Sequence, residues 1–238
     1  MTNHEILQPL LPPGLGFLAY FVLHSLLASL WLKRQVHRRW PQFTPAYRLG
    51  FNVVSIILLI PLLWMMQQNP GPLVWQWPGL WGWGMKLLTV AAILGFIGSL
   101  RSYDTQVFLG LTQWRNRHRP GTDDEGSIGN DPEQLHISTL HRFVRHPWYF
   151  FLLVIMWTQD LHATQLFTYG LFTLYLVIGS RLEERKLVTH YGAAYQQYRT
   201  QVPGLFPLPW RWLGKAEAQR LMQLAAGQKM VYEESREP

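Results

Sequence analysis

No cysteine occurs anywhere in the 238 residues, which removes thiolate nucleophiles, Cys-ligated zinc, iron–sulfur clusters and disulfides from the chemistry open to this chain. Charge is scarce too. Only 15% of residues are charged, against about 25% in ordinary soluble domains. Acids are the scarcer sign, 14 against 21 basic residues, for a formal net charge of +7. No glycine-rich phosphate loop, dinucleotide fingerprint or internal repeat is visible. His118, His136, His141, His146 and His190 lack the compact spacing of a metal site, so no metal is expected.

What is abundant is apolar: 48% of residues are hydrophobic, 12 of them Trp. Windows near 14–32, 49–66 and 80–100 each approach the roughly 20 residues that cross a bilayer. A fourth, 148–180, is broken only by Gln159, Asp160, His162 and Gln165. One straight helix there would run about 50 Å and strand Asp160 in lipid, a cost avoided by a hairpin with Asp160 and His162 at the far surface. The expected fold is therefore an all-α polytopic integral membrane protein with five transmembrane helices, the last two forming a helical hairpin. It is read as a single membrane domain over 1–238. Its parts are N-terminal spans within 14–100, a cytoplasmic loop 101–146, a hairpin and cofactor region 135–207, and an amphipathic tail 208–238.

All but one of the 21 Lys and Arg fall in 33–48, 101–145 or 181 onward, Lys86 being the exception. By the positive-inside rule those stretches are cytoplasmic, with the N-terminus outside and the C-terminus, including a cytoplasmic C-terminal helix, inside. Charge scattered over three loops reads as topology and contact with anionic membrane lipid rather than nucleic-acid binding. Residues 1–13 carry no Lys or Arg, so the first span is read as a retained helix and not a signal peptide. Compactness and the lack of eukaryotic sorting signals point to a bacterial inner membrane.

Arg145-His146-Pro147-Trp148-Tyr149 opens the fourth apolar run. Pro147 suits a first helical turn because it has no N–H to leave unpaired. That puts His146 at a helix N-terminus, which favours a ligand carboxylate. Trp148 and Tyr149 offer aromatic faces to an adenine or a sulfonium cation, or simply belong to an interfacial belt. Glu183 and Glu184 lie near the end of the fifth span, where the helix dipole disfavours acids. Either they pair with Arg181 or Lys186, or one of them binds a ligand. Adjacent helical residues point about 100° apart, so only one of the two is expected to face a site.

The ordered set Arg-His-Pro-x-Tyr at 145–149, Glu183-Glu184 with Leu187, Gly192 with Tyr195 and Tyr198, and Val202-Pro203 resembles the isoprenylcysteine carboxyl methyltransferase and phospholipid methyltransferase superfamily over roughly residues 135–207. His24-Ser25, Tyr47-Arg48, Asn52 and Tyr103-Asp104 make the N-terminal half similar to the branch with methanethiol S-methyltransferase and NnrU-like membrane proteins. The resemblance implies S-adenosyl-L-methionine as cofactor, bound by Leu135, His136, His141, His146, Pro147, Trp148, Tyr149 and Glu183. Two positions depart from the pattern. Thr139, Leu140 and His141 replace Gly-x-Tyr, and Phe151 replaces a glycine, which is expected to tighten a pocket or move a cofactor loop.

The expected reaction is methyl transfer to a small thiol or lipophilic acceptor arriving through the bilayer, with Tyr149, His141 or Arg181 assisting a thiol to ionise. Alternatives are a non-catalytic NnrU-like accessory protein and a nicotinamide-dependent membrane reductase of related core. His24, inside the first span, either lines a substrate cavity or is a neutral His bonded to Asn52 or a carbonyl. Ala218, Leu221, Met222 and Ala225 recur at helical spacing, for a helix that lies on the membrane or packs on the protein. Trp210, Arg211 and Trp212 read as an interfacial anchor, and Glu233–Pro238 as a disordered end.

Single cysteines placed at positions 69, 123, 162 and 235 meet no native thiol background. An impermeant maleimide added to intact cells is expected to label the Asn69→Cys and His162→Cys variants and to spare Asp123→Cys and Ser235→Cys. Labelling at 123 would reverse the topology.

Overall fold

A computed structural model describes residues 10–100, 105–117 and 135–234, with side chains described as far as 227. Tyr103, Asp104, His118, most of the 115–132 loop and the last four residues lie outside the described set. The chain is mostly helical: α1 Leu11–Ala28, α2 Leu30–Arg39, a 3-10 turn Pro41–Phe43, α3 Thr44–Gln68, β1 Leu73–Trp75, α4 Gly79–Leu100, α5 Thr105–Leu109, α6 Leu111–Arg115, a 3-10 turn Leu140–Arg142, α7 Pro147–Trp157, β2 Leu161–His162, α8 Ala163–Gln201 and α9 Lys215–Glu234. Proline occupies the first turn of α1, α3 and α7, where its missing N–H costs no hydrogen bond.

Among the described residues three helices are long and apolar enough to cross a membrane: Leu11–Ala28, Pro41–Gln68 and Gly79–Leu100. Their apolar side chains face outward, Val22, Ile57 and Leu87 being 60–71% exposed, as a lipid-facing surface requires. The fourth apolar run divides at its polar residues as expected, but its first half is short for a span. Helix α7 has 11 residues, about 16 Å at 1.5 Å per residue against a hydrocarbon core of about 30 Å. The helical run then breaks over 158–162 before the 39-residue α8 begins. The first span also ends earlier than expected. Ser29 is extended, donates to the Leu26 carbonyl at 2.7 Å and accepts from Leu32 N at 3.3 Å. It thereby caps a separate basic helix, α2, to which Leu30–Leu32 belong.

Two compact units make up the fold. The first is drawn from Met1–Lys86, Tyr103–Asn130 and Gln159–Phe172. In it the Phe17 and Phe21 rings meet Phe172 at 6.1 and 5.0 Å. Tyr47 donates to the Leu27 carbonyl (2.6 Å), Arg48 to Phe108 O (2.9 Å), and Asn52 to the carbonyls of Phe108 and Leu109. These residues tie α3 to its neighbours, and the His24 ring packs on Tyr20 and Phe51. The helical fold is supplemented by an antiparallel ribbon pairing Leu73 with His162 and Trp75 with Leu161. Asp160 accepts from Trp77 N at 3.0 Å, so the polar break at 159–162 is bound to the loop that follows α3.

The second unit is drawn from Leu87–Ser102, Asp131–Thr158 and Thr173–Pro238. Its core joins Leu135 and Ile137 to Tyr191, Tyr195, Tyr198 and Val202 of the α8 end and to Leu213, Ala218, Leu221 and Ala225. Helix α9 thus buries its apolar stripe inside the protein rather than on a membrane, with Met222 Sδ accepting from Ile137 N at 3.3 Å. Gly192 bends α8 at φ 53°, ψ −131°, a conformation closed to residues with a Cβ.

Leu221 is 1% exposed and Leu224 42%. Leu221→Ala is expected to cost about 2 to 5 kcal/mol, seen as a lower Tm of the purified protein, while Leu224→Ala stays within about 0.5 kcal/mol. Equal effects would mean that α9 is not packed as described.

Candidate functional site

The second unit places the Arg-His-Pro segment against the Val-Pro-Gly segment that follows α8. Arg145 N donates to Pro203 O at 2.9 Å and His146 N to Gly204 O at 3.1 Å. Between them lies Glu184, 6% exposed. Arg145 grips one of its oxygens, Oε1, from Nε at 2.8 Å and Nη2 at 2.7 Å, and Arg199 Nε lies 3.2 Å from Oε2. His146 Nε2 is 3.2 Å from Oε1. The remaining Arg145 nitrogen, Nη1, donates to the carbonyls of Arg199 and Val202, which a helix end leaves without intrahelical partners. A Cβ at Gly204 would come within 3.3 Å of Arg145 Nη2, so the glycine leaves room for the guanidinium.

Burial alone would push the Glu184 carboxyl up, but hydrogen bonds from His146 and Arg145, with their charges, bring it down to about 2. Tyr195 is displaced the other way, raised by burial and by the Glu184 charge. Tyr198 donates to the His141 carbonyl at 2.6 Å, so the second tyrosine of the Gly192–Tyr195–Tyr198 set anchors the 135–145 strip.

Glu183 stands on the other side of the pair, half exposed, with Oε2 3.6 Å from His146 Nδ1. The His146 and Tyr149 rings stack at 5.2 Å with 9° between planes. Glu183, His146 and Tyr149 are thus brought together at the start of α7. Trp148 turns elsewhere, its ring 5.8 Å from Phe96. Pro147 is buried. The Leu135 side chain belongs to the core, and His136 is exposed. His141 Nδ1 lies 2.7 Å from Ser138 Oγ. Burial, with the charges of His136 and His146, holds the His141 imidazole down to about 4, so it is neutral at physiological pH. Arg181 is exposed and, two residues before Glu183, points about 160° away from it around the helix.

Phe151 does not enter this group. A Cβ on Gly95 would lie 2.5 Å from Phe151 Cε1, so the ring fills the space that Gly95 leaves on α4. The partners of Glu184 are neither Arg181 nor Lys186, as sequence proximity implied, but Arg145 and Arg199. Sequence reasoning missed both, and the only available signal was Arg145 as the first letter of Arg-His-Pro. An exposed carboxylate beside stacked aromatic rings, at a helix N-terminus, suits a ligand carrying a cationic group, a ring and a carboxylate.

No family model and no solved structure matches the chain. It is 31% identical over 207 residues to methanethiol S-methyltransferase 2 of Bradyrhizobium diazoefficiens, covering 82% of this chain and 76% of that protein. Over 234 residues it is 30% identical to methanethiol S-methyltransferase of Mycobacterium tuberculosis, with 88% and 84% covered. A Pseudomonas protein of the same name is 28% identical over 219 residues, with 82% and 76% covered.

Because the Glu184 carboxyl is held below its ordinary value, the folded state binds fewer protons there than the unfolded chain. Its stabilisation is complete above about pH 4.5 and is lost as pH falls toward about 2. His141, also depressed, adds a loss between its ordinary 6.5 and about 4. Thermal unfolding across pH 7.5 to 3 is expected to show both declines, and His141→Gln to abolish the upper one. Glu184→Gln is expected to cost about 3 to 5 kcal/mol at pH 7, since it leaves Arg145 buried without its counter-charge. An unchanged Tm would refute the network.

Proposed function

This chain belongs to the family of the methanethiol S-methyltransferases, and on that premise we propose that it is an integral membrane, S-adenosylmethionine-dependent methyltransferase whose acceptor is a small thiol. The observation that carries the reading is the convergence of Glu183, His146 and Tyr149 at the α7 N-terminus. When bound, S-adenosylmethionine supplies an electrophilic methyl group.

The chain's own residues divide the remaining tasks. Glu183 holds the ligand's amino group or ribose hydroxyls, and the α7 N-terminus receives its carboxylate. Tyr149, braced on His146, presents an aromatic face to the adenine or the sulfonium. The 135–141 strip closes the site, anchored by Tyr198. A thiol attacks as thiolate, its proton passing to solvent while the neutral His141 ring or the Tyr149 hydroxyl donates a hydrogen bond to the sulfur. Arg181 adds positive charge only if its exposed side chain folds back toward the acceptor.

Five spans, with the N-terminus outside and the cofactor site on the cytoplasmic side of a bacterial inner membrane, complete the reading. Support for the hairpin comes from paired contacts at its two ends, Trp157 Nε1 donating to Thr173 Oγ1 at 3.0 Å and His146 meeting Glu184. The acceptor is small or lipid-like and reaches the site through the bilayer.

Titration calorimetry with S-adenosylhomocysteine tests the site. Losing one charge-assisted hydrogen bond in Glu183→Gln, worth about 1.5 to 3 kcal/mol, is expected to weaken binding roughly 10- to 150-fold without altering Tm. Wild-type affinity in that variant would misplace the pocket, and no binding by the native chain would leave an accessory role.

Transfer of labelled methyl to methanethiol is expected to rise from pH 6 to 9 as the thiol ionises. A flat profile, or transfer only to phosphatidylethanolamine, would exclude the thiol.

A further inference from the structure

The second unit also contains a cavity of about 470 Å³ lined by Arg145, Arg199 and Arg211 together with Gln196 and Thr200. His146, Tyr149 and Glu183 do not line it, so it is built from a different set of side chains than the site above. Its charge is unbalanced. Glu184 is the one carboxylate paired with any of these three guanidiniums among the described residues, and it is shared between Arg145 and Arg199. Arg145 is consumed internally, but Arg199 commits only its Nε to Glu184. Arg211 commits Nη2 to the carbonyls of Arg199 and Thr200, at 3.2 and 2.6 Å. The other nitrogens of Arg199 and Arg211 have no hydrogen-bond partner among the described residues. Planar N–H donors of this kind match the oxygens of a phosphate.

The loop that carries Arg211 is apolar on its outside. Phe206, Trp210 and Trp212 are 54%, 75% and 54% exposed, a costly display in water but the usual one at headgroup level in a membrane. Free phosphate would make use of the arginines and not of the aromatics, whereas a phospholipid uses both. We propose that this cavity holds the phosphate headgroup of an anionic lipid, with Arg199 and Arg211 donating to its oxygens and Phe206, Trp210 and Trp212 seated among the neighbouring headgroups. The assignment rests on the membrane character of the chain and not on its transfer activity.

Purified full-length protein in neutral detergent, titrated with short-chain phosphatidylglycerol, phosphatidylcholine or inorganic phosphate and read by native mass spectrometry, tests this. Phosphatidylglycerol is expected to bind about tenfold more tightly than phosphatidylcholine, and less tightly at high salt. Gln196→Glu adds a carboxylate at an exposed position of the cavity wall. It is expected to weaken phosphatidylglycerol binding about tenfold without changing Tm, and Arg211→Gln to weaken it at least as much. Equal affinity for the two lipids, or indifference to Gln196→Glu, would overturn the proposal. Inorganic phosphate competing at equal concentration would overturn the lipid as its source, and displacement of lipid by S-adenosylhomocysteine would reassign the cavity to the methyl donor. Lipid binding is read without methyl transfer, so its failure is distinguishable from failure of the methyltransferase reading.

Discussion

A carboxylate taken out of water must be fully compensated or it destabilises the fold, and Glu184 is compensated by groups from separate stretches of chain. Arg145 and His146 come from the segment before α7, Arg199 from the last turns of α8. Arg145 also satisfies carbonyls at the end of α8, and its backbone pairs with Pro203. The same network therefore holds the beginning of α7, the middle of α8 and the chain after α8 together. It also decides what Glu183 does. Side chains one residue apart on a helix diverge by about 100°, so holding Glu184 inward turns Glu183 outward toward His146 and Tyr149. A carboxylate buried for structural reasons thus sets the direction of an exposed one.

Glycine makes the same economy in packing. Phe151 stands where the resemblance implied glycine, and its ring has room because Gly95 on α4 has no Cβ to obstruct it. Gly14 accepts the Phe167 ring and Gly16 the Leu62 side chain in the first unit in the same manner. Close approach through small residues is the usual device where apolar helices meet without a hydrophobic driving force between them. Gly192 serves a different end. Its positive φ redirects α8, after which Tyr195 and Tyr198 face the 135–141 strip instead of continuing along a straight helix.

Much of this was legible in linear order. Apolar windows marked the three long helices because a bilayer imposes a length and a composition on whatever crosses it. Pro147 marked the start of α7, and the 159–162 polar cluster marked the break after it. The end of α1 was less legible, since Leu30–Leu32 continue its apolar character and only the Ser29 cap, a local hydrogen-bond choice, separates them. Helix α9 showed its amphipathic stripe plainly, but periodicity alone does not say whether lipid or protein covers such a stripe.

The sequence by itself determined the membrane character, the places where helices begin with proline or break at polar clusters, and the ordered motifs of the methyltransferase family. Those properties depend on composition and on neighbours within a few residues. Tertiary structure alone decided which of two adjacent glutamates is buried, which arginines neutralise it, and where the Phe151 ring goes. Arg145 and Glu184 are 39 residues apart in the chain, and the free energy of placing that charge is a property of the surroundings that meet there, which no local pattern encodes.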